Sequence, residues 1–109
     1  MTCERWDVVV VPFPFTDKPR TKRRPALVLS GPAFNRAGHT VLAMITSRGH
    51  SPWPGDTPIV VLAAAGLRAP CLVRLKLFTL DNRLISDRIG RLSRADAESV
   101  EGAVRETLP

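Results

Sequence analysis

Four consecutive valines, residues 8–11, stand inside "DVVVVPFPF" (7–15), a β-prone run whose two prolines belong at a sheet edge or a strand exit. "PALVLS" (25–30) and "TVLAMITS" (40–47) predict two more short strands, joined by the turn-rich "GPAFNRAGH". "SRGHSPWPGD" (47–56) holds two Pro and two Gly and predicts a loop. "TPIVVL" reads as a strand, and "AAAGLRAP" as a turn or a short helical piece ended by Gly66. In "CLVRLKLF" (71–78), strict alternation sets Leu72, Arg74, Lys76 and Phe78 on one face and Val73, Leu75 and Leu77 on the other. "DRIGRL" is a last short strand.

From Ser93 the period changes. Ala97, Val100 and Val104 share one helical face, while Glu101 and Arg105 form an i,i+4 pair on the opposite side. The Ser93 hydroxyl is placed to cap the first turn, with Asp96 at the capping-box acid position. Five or six short strands, one bulky loop and a terminal helix predict a mainly β fold with helices (α+β), a small, strongly bent, mostly antiparallel barrel. The chain of 109 residues is expected to form a single domain, 1–109, with no repeat or linker.

Composition narrows the function. An apolar fraction of 44% and a charged fraction of 24% are those of a globular protein, which sets disorder aside. No apolar run approaches the ~20 residues of a membrane span, and "MTCERWDVVVV" lacks the pattern of a secretory signal. Cys3 and Cys71 make neither a disulfide scaffold nor a paired metal motif, so the expected setting is a reducing cytoplasm, with no cofactor, no metal and no membrane partner. Both thiols read as inert.

A net charge of +6 points to a polyanionic partner. Its distribution says more. Residues 1–50 carry eight Lys/Arg against three acids, 51–92 six against three, and 93–109 two against four, so the surplus sits on the β-rich body. The densest part is "TDKPRTKRR" (16–24), five cations in nine residues, read as the loop entering the second strand. Such a run is either a solvated loop or a docking lip for an anion.

"DVVVVPFPFTD", then "KRRPALVLS", a strand ending "ITS", "KLFTLD" and "RIGRLS" together resemble the MazF/PemK family of toxins from bacterial toxin–antitoxin pairs, from about residue 5 to residue 107. The resemblance implies an SH3-like barrel that forms a homodimer. It implies a toxin acting as a metal-independent, sequence-selective endoribonuclease on single-stranded RNA, with mRNA the expected class, neutralised by a cognate antitoxin. The family's catalytic Arg and Thr fall by position on Arg24 and Thr46, and Ser47 follows at the same strand end. The RNA-binding residues expected around them are Lys18, Arg20, Lys22, Arg23, Arg48, His50 and Lys76. The chain departs from the family in two places: Trp6 precedes Asp7 where Gly is common, and Phe78 stands where a basic residue often precedes the Thr-x-Asp stretch. The first is expected to alter only local backbone and packing; the second bears on substrate choice and on activity.

The chemistry agrees with this assignment. Attack by the 2′-hydroxyl cleaves RNA without a metal and confines the reaction to RNA. A guanidinium offers paired donors to the phosphoryl oxygens, on which negative charge accumulates in the transition state, and a hydroxyl adds another. Arg24 is held by Pro25, and β-branched Thr46 has a restricted χ1. Each residue also has an ordinary role. Thr46 and Ser47 are by default turn hydroxyls, Arg74 and Lys76 solvent-facing charges, Phe13 and Phe15 core or rim. Trp53 is a loop anchor or a stacking platform. His39 and His50 lie in predicted loops, where an acid–base pair is disfavoured and an RNA contact by His50 is the better reading. Two other functions stay open, since fold does not fix function: a non-catalytic, gyrase-poison-like protein binder, and an inactive paralogue that retains antitoxin binding.

Overall fold

The computed structural model describes residues 2–13, 22–49 and 51–109. Six strands run β1 (Asp7–Phe13), β2 (Lys22–Val28), β3 (His39–Ser47), β4 (Thr57–Pro58), β5 (Cys71–Asp81) and β6 (Asp87–Arg91). They form one antiparallel sheet in the order β4-β5-β3-β2-β1-β6, curled into a half-barrel. A short helix α1 (Pro32–Asn35) lies between β2 and β3, and α2 (Arg94–Thr107) follows β6.

The curl brings the edges β4 and β6 together through the turn that follows β4. The Arg91 N–H donates to the Ala64 carbonyl at 2.9 Å. Two glycines allow this approach: a Cβ at Gly90 would collide with the Ala64 and Ala65 backbone, and Gly66 takes φ +72 with its Cβ position against the Ile89 carbonyl.

Apolar residues fill both faces of the sheet, which explains an unbroken valine run in place of an alternating one. Val8 joins Leu27, Ala43, Ile45, Val73, Leu75 and the α2 residues Ala97 and Val100. Val9 and Val11 join Cys3, Ala26, Val28, Leu42, Leu80 and Ile85 on the other side. Pro12 sits beyond Val10, the last β1 residue paired with β6, so its missing N–H costs no ladder bond on that side. Burial pushes the Cys3 thiol up, with Asp7 adding to the effect, and burial also raises Cys71, in keeping with inert thiols.

Several local expectations change. The strand read in "TPIVVL" stops at Pro58, and Val60 is 79% exposed. The reason is Asp96: the Ser93 hydroxyl accepts the Asp96 N–H as expected, but the Asp96 carboxylate does not close a capping box. It accepts the N–H groups of Val60 and Val61 at 2.9–3.1 Å and pulls that segment off the sheet. His39 belongs to β3 and not to a loop. Strand β2 begins at Lys22, so Lys22, Arg23 and Arg24 are ladder residues opposite Phe13, Pro12 and Val11, not part of a loop.

The alternation read in "CLVRLKLF" also fails. Ala43 pairs with Leu77 and Met44 with Arg74, so β5 carries two extra residues, Leu75 and Lys76, at an irregularity. Arg74 and Leu75 are consequently both buried, while Lys76 and Leu77 are exposed. Trp6 takes φ 76, the left-handed region where Gly costs least, and still packs on the core cluster beneath α2.

Candidate active site

Strands β2 and β3 pair from Val28/Leu42 to Ala26/Met44, and no further. Extending that register by two residues sets Arg24 against Thr46. Past Met44 the strands diverge, and a cavity of about 240 Å³ opens, lined by Phe13, Arg24, Met44, Ile45, Thr46 and Arg74. Arg24 is exposed at its mouth and Thr46 is half-buried. Divergence of two strands thus brings together a guanidinium and a hydroxyl that lie 22 positions apart in the chain.

The other expected residues are placed as follows. Ser47, opposite Cys71, is exposed and lies outside the cavity lining. Lys22 and Arg23 are exposed on β2, and Arg48 is exposed just after β3. The Lys76 ammonium stands 4.4 Å from the ring centroid of Trp53. Lys18, Arg20 and His50 lie outside the described residues. His39 is opposite Asp81 at the far end of β3, ~23 Å along the strand from Thr46 at 3.3 Å per residue.

Arg74 is the residue that sequence reasoning missed. Taken as a solvent-facing charge, it is buried and is the second guanidinium in the cavity wall. Its Nε and terminal nitrogen donate to the two Asp56 carboxylate oxygens at 3.0 and 2.8 Å, and the terminal nitrogen also donates to the Ser51 carbonyl at 2.8 Å. The Arg74 hydrogen bonds hold the Asp56 carboxyl below its ordinary range, and Asp56 raises Arg74 in turn. A signal was available: Asp56 is the sole acid between Asp17 and Asp81, and a lone carboxylate in a basic body calls for a partner. With Arg74 neutralised, Arg24 is the uncompensated cation of the cavity, since no described residue pairs with it.

A family model described as the PemK-like, MazF-like toxin of type II toxin–antitoxin systems matches residues 4–108. The chain belongs to that family. Solved structures agree on the fold. A MazE–MazF complex from Deinococcus radiodurans superimposes with a TM-score of 0.77 at 24% identity, covering 99% of this chain and 97% of that one. An endoribonuclease in complex with its cognate antitoxin, from a mycobacterial species, gives 0.75 at 17% identity, covering 98% and 93%. The Mycobacterium tuberculosis toxin MazF-mt6 gives 0.72 at 20% identity, covering 92% and 93%. No curated protein matches in sequence. Among the described residues, no helix is long and apolar enough to cross a membrane.

Proposed function

We propose that this toxin-family chain is a metal-independent endoribonuclease that cuts single-stranded RNA at selected sequences. The observation that carries the reading is the shared cavity of Arg24 and Thr46, whose lining residues include no carboxylate. A phosphate entering there meets a guanidinium that no described carboxylate pairs and a hydroxyl fixed on a strand.

In this reading the 2′-oxygen of the substrate attacks the adjacent phosphorus and the bond to the 5′-oxygen breaks. The products are a 2′,3′-cyclic phosphate and a free 5′-hydroxyl. Arg24 donates to the phosphoryl oxygens as they gain charge, and Thr46 supplies a further donor. Lys22 and Arg23, exposed beside Arg24, attract the backbone on either side. Ser47, outside the cavity lining, contacts RNA at the rim and leaves the phosphate to Thr46. The antitoxin complexes among the structural neighbours support neutralisation by a cognate antitoxin, and the family resemblance supports a cytoplasmic homodimer.

The test is incubation of a mixed RNA pool with purified protein in EDTA, wild type and Arg24→Ala side by side. Cleavage by the wild type, lost in the variant, is expected. A folded wild type that leaves RNA intact overturns the activity, and a variant that cuts as well as wild type overturns the site.

A further inference from the structure

Trp53 stands between two prolines and is 41% exposed, in a loop whose backbone is tied down by other groups. The loop is held by polar contacts. The Trp53 N–H donates to Asp56 at 2.9 Å, the Asp56 N–H donates back to the Trp53 carbonyl at 3.1 Å, and Arg74 grips both Asp56 and the Ser51 carbonyl. Both charged partners are largely sequestered, with side chains 10% and 15% exposed, so the fork is shielded from competing water. Its root is the cavity wall itself, because Arg74 lines the same space as Arg24 and Thr46. Lys76, displaced outward by the β5 irregularity, lays its ammonium over the indole. The result is an aromatic plate and a cation, presented to solvent and fixed relative to the cavity.

We infer that Trp53 is a stacking platform for a nucleobase next to the phosphate held at Arg24, with Arg74 and Asp56 as the positioning pair that sets its place. This rests on the ribonuclease reading for the identity of the neighbouring phosphate. A loop anchor would bury its indole fully; this one stays 41% exposed, with the Lys76 ammonium over the ring and polar groups tying down the loop. An aromatic face accepts any base, and an adjacent ammonium suits the flanking backbone, so the ligand class is a nucleotide of single-stranded RNA. Arg74 acts through Trp53. Asp56 cancels its charge, so it adds no attraction of its own.

The experiment measures binding and cleavage separately. Binding is read from quenching of tryptophan fluorescence by a short single-stranded 2′-O-methyl RNA of mixed sequence, which has no free 2′-hydroxyl to attack. Wild type is expected to quench, with Trp6 as a constant background. Trp53→Phe should bind within about twofold of wild type without that quenching, and Trp53→Ala should lose about tenfold in affinity, measured by anisotropy of labelled RNA. Asp56→Ala combined with Arg74→Met removes the fork while leaving the local net charge unchanged, and should lose a similar factor. Adding Trp53→Ala to that pair should then cost little more, because all three act as one unit.

Trp53→Ala binding as tightly as wild type overturns the platform, and so does unquenched wild-type fluorescence in a complex that forms. Losses that simply multiply overturn the positioning role. Should the double variant fail to fold, the two Trp53 variants still decide the platform. Cleavage of ordinary RNA in EDTA is scored alongside. A wild type that binds and quenches but never cuts keeps the stacking site and rejects the ribonuclease reading. One that cuts, with Trp53→Ala unchanged in affinity and in nucleotide preference, rejects the platform alone.

Discussion

Strand β1 begins at Asp7, which is 2% exposed and is shared by Arg88 at 3.1 Å, Arg91 at 3.0 Å and the Glu4 N–H at 2.8 Å. Six residues and ~20 Å further on, it ends at Phe13 opposite Lys22, with Arg23 and Arg24 next along the partner strand. Those three cations are exposed and have no carboxylate partner among the described residues. At one end charge is matched within the protein and serves to hold β1 to β6. At the other no described carboxylate matches it, which among the described residues leaves repulsion between neighbours and positive potential. One strand thus separates an end paired within the protein from the end proposed to bind RNA, and substitutions at the two ends should fail in different assays.

The largest effect is expected at the unmatched end. Arg24→Ala should lower cleavage by about 10²–10³-fold, the cost of one donor to a developing oxyanion, while the thermal midpoint shifts little because the side chain is exposed. A large drop in the midpoint would mean that this end is structural after all. Next comes Asp7→Asn, which should cost about 2 kcal/mol in urea unfolding by weakening charge-assisted hydrogen bonds, with cleavage per folded molecule unchanged. Loss of cleavage in a folded Asp7→Asn chain would erase the distinction between the ends. Thr46→Val keeps the shape and removes one hydroxyl, so a fall of about tenfold in cleavage is expected, without loss of stability.

The smallest effect depends on pH. Hydrogen bonding to Arg74 lowers the Asp56 carboxyl below its ordinary 3.8, so the folded state prefers the ionised form. The stability that this confers is complete above about pH 4 and is lost as the pH falls through the lowered value. The stability difference between wild type and Asp56→Asn, measured by urea unfolding, should therefore be constant near neutrality and shrink in acid. A difference that grows in acid would contradict the pairing. Asp81, held at about 2 by the exposed Arg83, lies at the other end of β5 and needs no part in this.

Much of the fold and part of the site were legible in the residues alone. The valine run, the strands around residues 25–30 and 40–47, the Ser93 cap and the apolar face of α2 are local facts of period and capping, and the structure carries each of them. Arg24 beside Pro25 and Thr46 at the end of β3 were singled out through the family resemblance, and the structure brings both to one cavity. Other features were decided only by tertiary structure. The partnership of Arg74 with Asp56 spans 18 residues and depends on two extra residues in β5 that shift its faces, which no alternation rule reveals. The exposure of Trp53 follows from that partnership. The strand lost after Pro58 went to a carboxylate 36 positions away, and Trp6 takes a left-handed backbone because Val28 and Leu92 hold both of its peptide groups. Sequence period reports which face a residue prefers on an ideal element; register shifts, strand divergence and the pairing of distant charges are set by how those elements meet.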